Sequence, residues 1–157
     1  MTKKLPFSTF TIALFVIHVS SLMPVHAGQL AVGLNYPGLG VRYHFNDRFA
    51  LELRGQYDSD ENVIGMRAYR YFTRNKLSLF AGIEADYTGF KLDIIEGMGY
   101  AAEMFAGGEY NILDQLSVQL DIGPAWVVLR DNTTTASVEG LEFVVGIGVN
   151  WYFGGNR

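Results

Sequence analysis

From position 28 onward the apolar residues of this chain recur at every second place, the period of a strand whose two faces meet different surroundings. In 49–58, Phe49, Leu51, Leu53 and Tyr57 share one face, and Glu52, Arg54, Gln56 and Asp58 share the other. Segment 77–87 sets Leu77, Leu79, Ala81, Ile83, Ala85 and Tyr87 against Ser78, Glu84, Asp86 and Thr88. Segment 100–112 sets Tyr100, Met104 and Ile112 against Glu103, Glu109 and Asn111. In 141–153, Leu141, Phe143, Val145, Ile147, Val149, Trp151 and Phe153 oppose Glu142, Gly146, Gly148 and Asn150. A chain patterned this way forms sheet, and no run beyond position 28 is long and apolar enough for a membrane helix.

Turn chemistry interrupts the alternation at Pro37-Gly38, Asn46-Asp47-Arg48, 58–62, 73–76, 95–99, 113–115 and 131–138. Seven breaks predict eight strands joined as sequential hairpins: 30–36, 39–45, 49–58, 62–72, 77–93, 100–112, 116–130 and 139–153. The first two are short for a membrane crossing, so 30–45 reads equally as one strand bent at Pro37-Gly38. Pro124 removes a ladder donor within 116–130 and predicts a bulge or local break.

The first 27 residues differ in kind. Lys3 and Lys4 precede an apolar stretch at 5–19, and the segment closes on Val25-His26-Ala27. This is the three-part pattern of a cleaved secretory signal, and Ser8, Thr9, Thr11 and His18 interrupt the run too often for a retained helix. The expected domains are therefore a signal peptide at 1–27 and one barrel at 28–157. Removing Lys3 and Lys4 from the twelve basic residues leaves ten against sixteen acids, a net charge of −6. That balance argues against nucleic acid as a partner. With no cysteine, the fold has neither disulfides nor a thiol nucleophile.

Which face meets which solvent follows from the ionisable groups. The polar face carries Arg42, His44, Glu52, Arg54, Arg67, Glu84, Asp86, Glu103, Glu109, Asp121 and Glu142. If the apolar face pointed inward, a narrow barrel would have to pack its many aromatics in the lumen. With that face outward in lipid, the charges line the interior and pair there. Tyr36, Tyr57, Tyr87, Tyr100 and Trp126 then form one aromatic ring, and Phe45, Phe49, Phe72, Tyr110, Trp151 and Phe153 form a second, the girdles of a transmembrane barrel. Leu51, Leu53, Ile83, Leu120, Ile147 and Val149 are expected to face lipid, and Glu52, Arg54, Glu84, Asp121 and Asn150 the interior. Turns 46–48, 73–76 and 113–115 are read as periplasmic and the other four connections as external. Arg70 is assigned outward near a strand end, where it snorkels.

The leader, the eight alternating segments and the ending Gly148-Val149-Asn150-Trp151-Tyr152-Phe153 resemble the small eight-stranded outer-membrane proteins of the OmpA-like and OmpX-like barrel superfamily. The resemblance implies an all-β, antiparallel up-and-down transmembrane barrel in the outer membrane. It also implies lipid and the barrel-assembly machinery as partners, with Gly148, Trp151 and Phe153 as the assembly signal. Gly154 to Arg157 extend past the usual terminal aromatic. Short external loops argue against loop-borne adhesion.

The chemistry expected of the mature chain is sparse. His44 is its one histidine, with no serine near it that would make a nucleophile and base pair, so it reads as part of the polar interior. No cofactor motif or metal-spaced histidine cluster is present. Asp58, Asp60 and Glu61 crowd one loop and read as a hydrated turn before a cation site. Asn132-Thr133-Thr134 is a sequon, incidental at a bacterial address. A non-enzymatic, envelope-stabilising barrel with a side-chain-filled interior is the leading expectation. A narrow cation-preferring channel, a periplasmic lipocalin-like lipid-binding barrel, and a lipid-modifying enzyme on fold analogy alone are the competitors. Oligomeric state is left open. Arg54 and Arg67, on adjacent segments, are expected to enter the lumen near the same level and to meet Glu84, Asp86, Glu103 and Glu142, so that replacing either by Met costs about 3–5 kcal/mol in a dry site and less if water enters.

Overall fold

The computed structural model describes residues 28–36, 38–58, 60–92, 95–132 and 136–153. The signal segment 1–27, Pro37, two residues of the sequon and the extension after Phe153 lie outside them. The eight strands are β1 (Gln29–Tyr36), β2 (Gly38–His44), β3 (Phe49–Tyr57), β4 (Glu61–Tyr71), β5 (Leu77–Leu92), β6 (Ile95–Leu113), β7 (Leu116–Asp131) and β8 (Ser137–Phe153). Each pairs antiparallel with its sequence neighbour, and β1 returns to β8, from Leu30↔Phe153 to Tyr36↔Ile147, closing the barrel. Closure leaves β1 and the lower part of β8 without the unpaired edge of an open sheet.

Strands form here because alternation gives each segment one face for the lumen and one for the outside. Glu52, Asp121 and Asn150 are at most 2% exposed, whereas Leu53, Ile83, Leu120 and Ile147 are each about 60% exposed. Leu51 and Val149 lie on the same outer face. The polarity of an ordinary soluble protein is thus reversed. Both sets of aromatics read from the sequence stand outside, and Arg70 stands outside near the Phe72 ring.

At one end of the barrel the connections are tight. Asn46 Oδ1 accepts from the backbone N–H groups of Arg48 (2.8 Å) and Phe49 (3.0 Å), an Asx turn that reverses β2 into β3. Thr73 Oγ1 accepts from the Leu79 N–H at 2.8 Å and ties β4 to β5. The opposite end is uneven, because β5 to β8 run 16 to 19 residues while β1 and β2 run 8 and 7.

Three readings of the chain are corrected or decided. Residues 30–45 are two strands, paired from Gln29↔His44 to Asn35↔Gly38. The expected break at 95–99 is instead the start of β6, paired with β5 up to Leu92↔Ile95. Gly97 and Gly99 suggest a turn but serve a close approach: a Cβ on Gly97 would strike the Phe90 ring, and one on Gly99 the Leu129 and Thr88 side chains. Pro124 causes no bulge. The β6–β7 ladder lapses between Glu103↔Ala125 and Ala106↔Ile122 but resumes in the same register, and the register shift falls at Asn111/Leu113.

Inward glycines make room for the polar side chains of the neighbouring strand. A Cβ on Gly33 would meet Asn150, on Gly40 Glu52, on Gly65 Asp86, on Gly146 Asp121 and on Gly148 Asn35. Gly40→Val therefore pushes Glu52 off its partners and is expected to cost about 1–3 kcal/mol, as overpacking does. Gly140→Val, where a Cβ meets nothing within 4 Å, is expected to stay within about 0.5 kcal/mol of the parent. Urea unfolding of the two variants in micelles measures both.

Candidate functional site

The lumen is the site that the fold builds. Beginning from the tight-turn end, His44, Tyr71 and Tyr152 bring their rings together, with His44 5.2 Å from Tyr71 and 5.7 Å from Tyr152. The His44 Nδ1 lies 2.7 Å from a guanidinium nitrogen of Arg74, in the β4–β5 turn. His44 is thus buried in the interior, beside Tyr71, Tyr152 and Arg74.

Glu109 lies next inward. It accepts from Tyr71 OH at 2.9 Å, from Ser117 Oγ and from Tyr152 OH. Arg42, 1% exposed, spans the lumen from β2. Its Nε donates to Glu52 Oε2 at 2.7 Å, its Nη2 to Tyr69 OH at 2.8 Å and to Gln119 Oε1 at 2.7 Å, and its Nη1 to Tyr71 OH at 3.0 Å. Glu52 is completed by Tyr69 OH at 2.9 Å and by Asn35 Nδ2 at 2.6 Å. Charge-assisted bonds of this number are what a buried guanidinium needs to offset its desolvation.

Arg67 forms the next layer. Its Nη2 donates to Asp121 Oδ1 at 2.8 Å, and its Nε lies 2.6 Å from Glu84 Oε2, close enough to pair charge but off the angle of a hydrogen bond. Glu103 Oε2 stands 3.7 Å from the same guanidinium. Arg54 donates to Glu84 Oε1 at 2.6 Å. The two arginines therefore share Glu84, one on each oxygen, although they are not at one level: Arg67 pairs across with Glu52 and Arg54 with Gly65. Asp86 follows Glu84 on β5 and is partly exposed. Glu142 shares the inward parity but stands exposed on the part of β8 beyond β1, outside every ion pair of the network. Its expected place beside Arg54 and Arg67 is corrected on that ground.

Sequence reasoning passed over the aromatic half of the lumen. Tyr69, Tyr71, Phe80 and Phe105 form a buried cluster with Ala50, the guanidinium of Arg42 lies 4.1 Å over the Tyr69 ring, and that of Arg67 lies 4.1 Å over Phe105. The signal was available, since Tyr69 and Tyr71 keep the parity of Arg67, and Phe105 that of Glu103. Asn35, Gln119, Ser117 and Asn150 complete the network. Among the described residues no three His, Cys, Asp or Glu side chains converge as a metal site. At the barrel end opposite the tight turns Glu61 accepts from Thr88 Oγ1 at 3.1 Å.

Neither a protein-family model nor a curated protein sequence matches the chain. In fold it is similar to the N-terminal β-barrel domain of Pseudomonas aeruginosa OprF. The two share 14% identity over 80% of this chain and 95% of that one, with a TM-score of 0.54. Neisserial surface protein A aligns at 15% identity over 80% of this chain and 93% of that one, with a TM-score of 0.44. At these identities the likeness shows the fold, an eight-stranded closed barrel, and nothing finer.

The geometry separates the two arginines in energy. Arg67→Met strands Asp121 and one oxygen of Glu84 in a dry layer and is expected to cost about 3–5 kcal/mol. Arg54 is partly solvated at 17% side-chain exposure, and Arg67 remains beside Glu84 without it. Arg54→Met is accordingly expected to cost about 1.5 kcal/mol. Urea midpoints of the two variants in the same micelles give the comparison.

Proposed function

We propose that this protein is a small outer-membrane β-barrel with a structural role in the envelope, exported by a signal at 1–27 and closed to bulk flow by its own side chains. The reading rests on one observation: a continuous belt of exposed apolar side chains around a lumen filled by Arg42, Glu52, Tyr69, Gln119, Asp121 and Arg67. An apolar belt of that extent is far beyond the patch a soluble monomer exposes, and lipid is the solvent that removes its cost. The two aromatic rings then stand at the two interfaces. The OprF-like fold supports the same address.

The occluded lumen favours a structural role over conduction. Any ion crossing it would have to displace the hydrogen bonds that join Arg42 to Tyr69 and Gln119 and those that join Arg67 to Asp121. No nucleophile and base pair is proposed, and lipid and the assembly machinery are the proposed partners. The polar lumen also counts against a lipocalin-like interior, because an apolar ligand finds charge at every layer between Arg42 and Glu84.

Fractionation followed by unheated and heated gel electrophoresis tests the address. The protein is expected with the outer membrane, cleaved after Ala27, and to change mobility on heating. Recovery in detergent-free buffer would refute the membrane reading. In planar bilayers the native barrel is expected to insert silently, and an Arg42→Ala/Arg67→Ala pair to show discrete conducting steps. Steps from the native protein would overturn the plugged-lumen reading.

A further inference from the structure

The short β1–β2 hairpin leaves a gap in the barrel wall. Pairing of β8 with β1 ends at Tyr36↔Ile147, so, among the described residues, 137–146 of β8 face no strand on that side. Following the registers around the barrel, Tyr36 and Gly38 lie roughly 7 Å nearer the tight-turn end than Tyr57, Tyr87, Tyr100 and Trp126, taking ~3.3 Å rise per residue and a strand tilt of roughly 40°. The gap thus begins below the ring of aromatics at that interface. Part of it lies at hydrocarbon depth, where an open sheet edge is not otherwise tolerated. Phe143 and Val145, on this stretch, are 74% and 62% exposed outward.

Behind the gap is a cavity of about 210 Å³. Its walls are apolar, from Val63, Ala101, Ala125, Val127 and Val144, and its floor holds Arg54, Glu84, Asp86 and Glu103. The acids stand on β5 and β6, across the barrel from β1 and β2. Arg54 and Arg67 occupy the two oxygens of Glu84. Glu103 is 94% buried, by its 6% exposure; among the described residues neither its Oε1 nor Asp86 Oδ1 has a hydrogen-bond partner, and the latter packs against Gly65. Two guanidiniums therefore face four carboxylates, Glu84, Asp86, Glu103 and Asp121, and the side chains of Asp86 and Glu103 line the apolar-walled cup.

We propose that this cup binds a small organic cation with an apolar body, of the alkylammonium class, admitted sideways through the gap above Tyr36 and Gly38. The chemistry divides along the cavity. An ammonium pairs with the carboxylates of Glu103 and Asp86 at the floor of the cup and reduces the local negative surplus. The alkyl part lies against Val63, Val127 and Val144, where a bare inorganic ion would leave apolar wall uncovered. Admission through the wall suits such a molecule because an alkylamine partitions to the membrane interface, the depth at which the gap opens. The inference rests on the membrane reading above, whose own failure shows separately, as recovery in detergent-free buffer.

The test uses the full chain, processed in the cell and reconstituted in lipid nanodiscs. Calorimetric titration with n-butylammonium is compared with n-butanol and sodium. Saturable one-to-one binding of butylammonium is expected. Glu103→Gln should weaken it at least about tenfold, the loss of a buried charge partner. Val144→Trp, which fills the rim of the cup, should abolish it, and Val127→Phe repeats that test should the first variant fail to fold, as judged by its heat-dependent mobility. Equal binding of butanol that ignores Glu103→Gln would mean an apolar slot only, and equal competition by sodium would mean a simple cation site. Native mass spectrometry showing a dimer whose contact covers 137–146 would mean that a second copy closes the gap. Each of these, and an absence of binding, overturns the proposal.

Discussion

Closure of β1 onto β8 is the constraint from which the rest of the molecule follows. Seven residue pairs, from Leu30↔Phe153 to Tyr36↔Ile147, join the first strand to the last. An open eight-stranded sheet would present two long edges, and an apolar outer face would promote association along them. Once the sheet is closed, its inner face becomes a tube too narrow for bulk water, and every inward residue must be satisfied by another inward residue. The short β1 and β2 set how far closure extends. The long β5 to β8 continue past it, so closed wall and gap arise from the same two strand lengths.

Within the tube, shape and charge are solved together. Glycine on one strand stands opposite a long polar side chain on the next, as Gly40 does for Glu52 and Gly146 for Asp121. The space so gained lets Arg42 and Arg67 lie across the lumen over aromatic rings, with their edges on carboxylates. Neither interaction suffices alone, because a guanidinium over a ring retains unpaired N–H groups, and one in an ion pair alone retains desolvated faces. Tyr69 serves both needs, offering its ring to Arg42 while its hydroxyl donates to Glu52.

Parity was legible in the sequence because a strand has no choice about it: once Glu52 is inward, Leu51 and Leu53 are outward. That rule placed the two aromatic rings and the long apolar face from Leu141 to Phe153. It left two kinds of property unread. Strand ends depend on which glycines turn and which make room, and Gly97 and Gly99 were misread because their partners, Phe90 and Leu129, are distant in sequence or on another strand. Depth along the barrel depends on all eight registers at once, so the inward parity of Glu142 could not reveal that β1 stops short of its level while β7 reaches it. The inward aromatics Tyr69, Tyr71 and Phe105 escaped for a different reason. Only the ionisable members of the inward face were weighed, although Tyr69 and Tyr71 share the parity of Arg67, and Phe105 that of Glu103.

The uneven distribution of charge along the lumen links these points to function. Around Arg42 the carboxylates Glu52 and Glu109 are surrounded by the hydroxyls of Tyr69, Tyr71, Tyr152 and Ser117, donors that stabilise negative charge without adding positive charge. Around Glu84, Asp86 and Glu103 the apolar wall is Val63, Ala101, Ala125 and Val127, no hydroxyl stands among the described lining residues, and the donors are the guanidiniums of Arg54 and Arg67 with the Gln56 amide on the lining. If packing alone had shaped the lumen, the layer with most acids would be the one richest in hydroxyls. The reverse is found, and the acid-rich, hydroxyl-poor layer is also level with the gap in the wall. A tube whose carboxylates are met by hydroxyls at its closed end and outnumber their guanidiniums at its open end has the polarity of a stoppered cup, with its charge surplus at the depth where the wall between β8 and β1 opens.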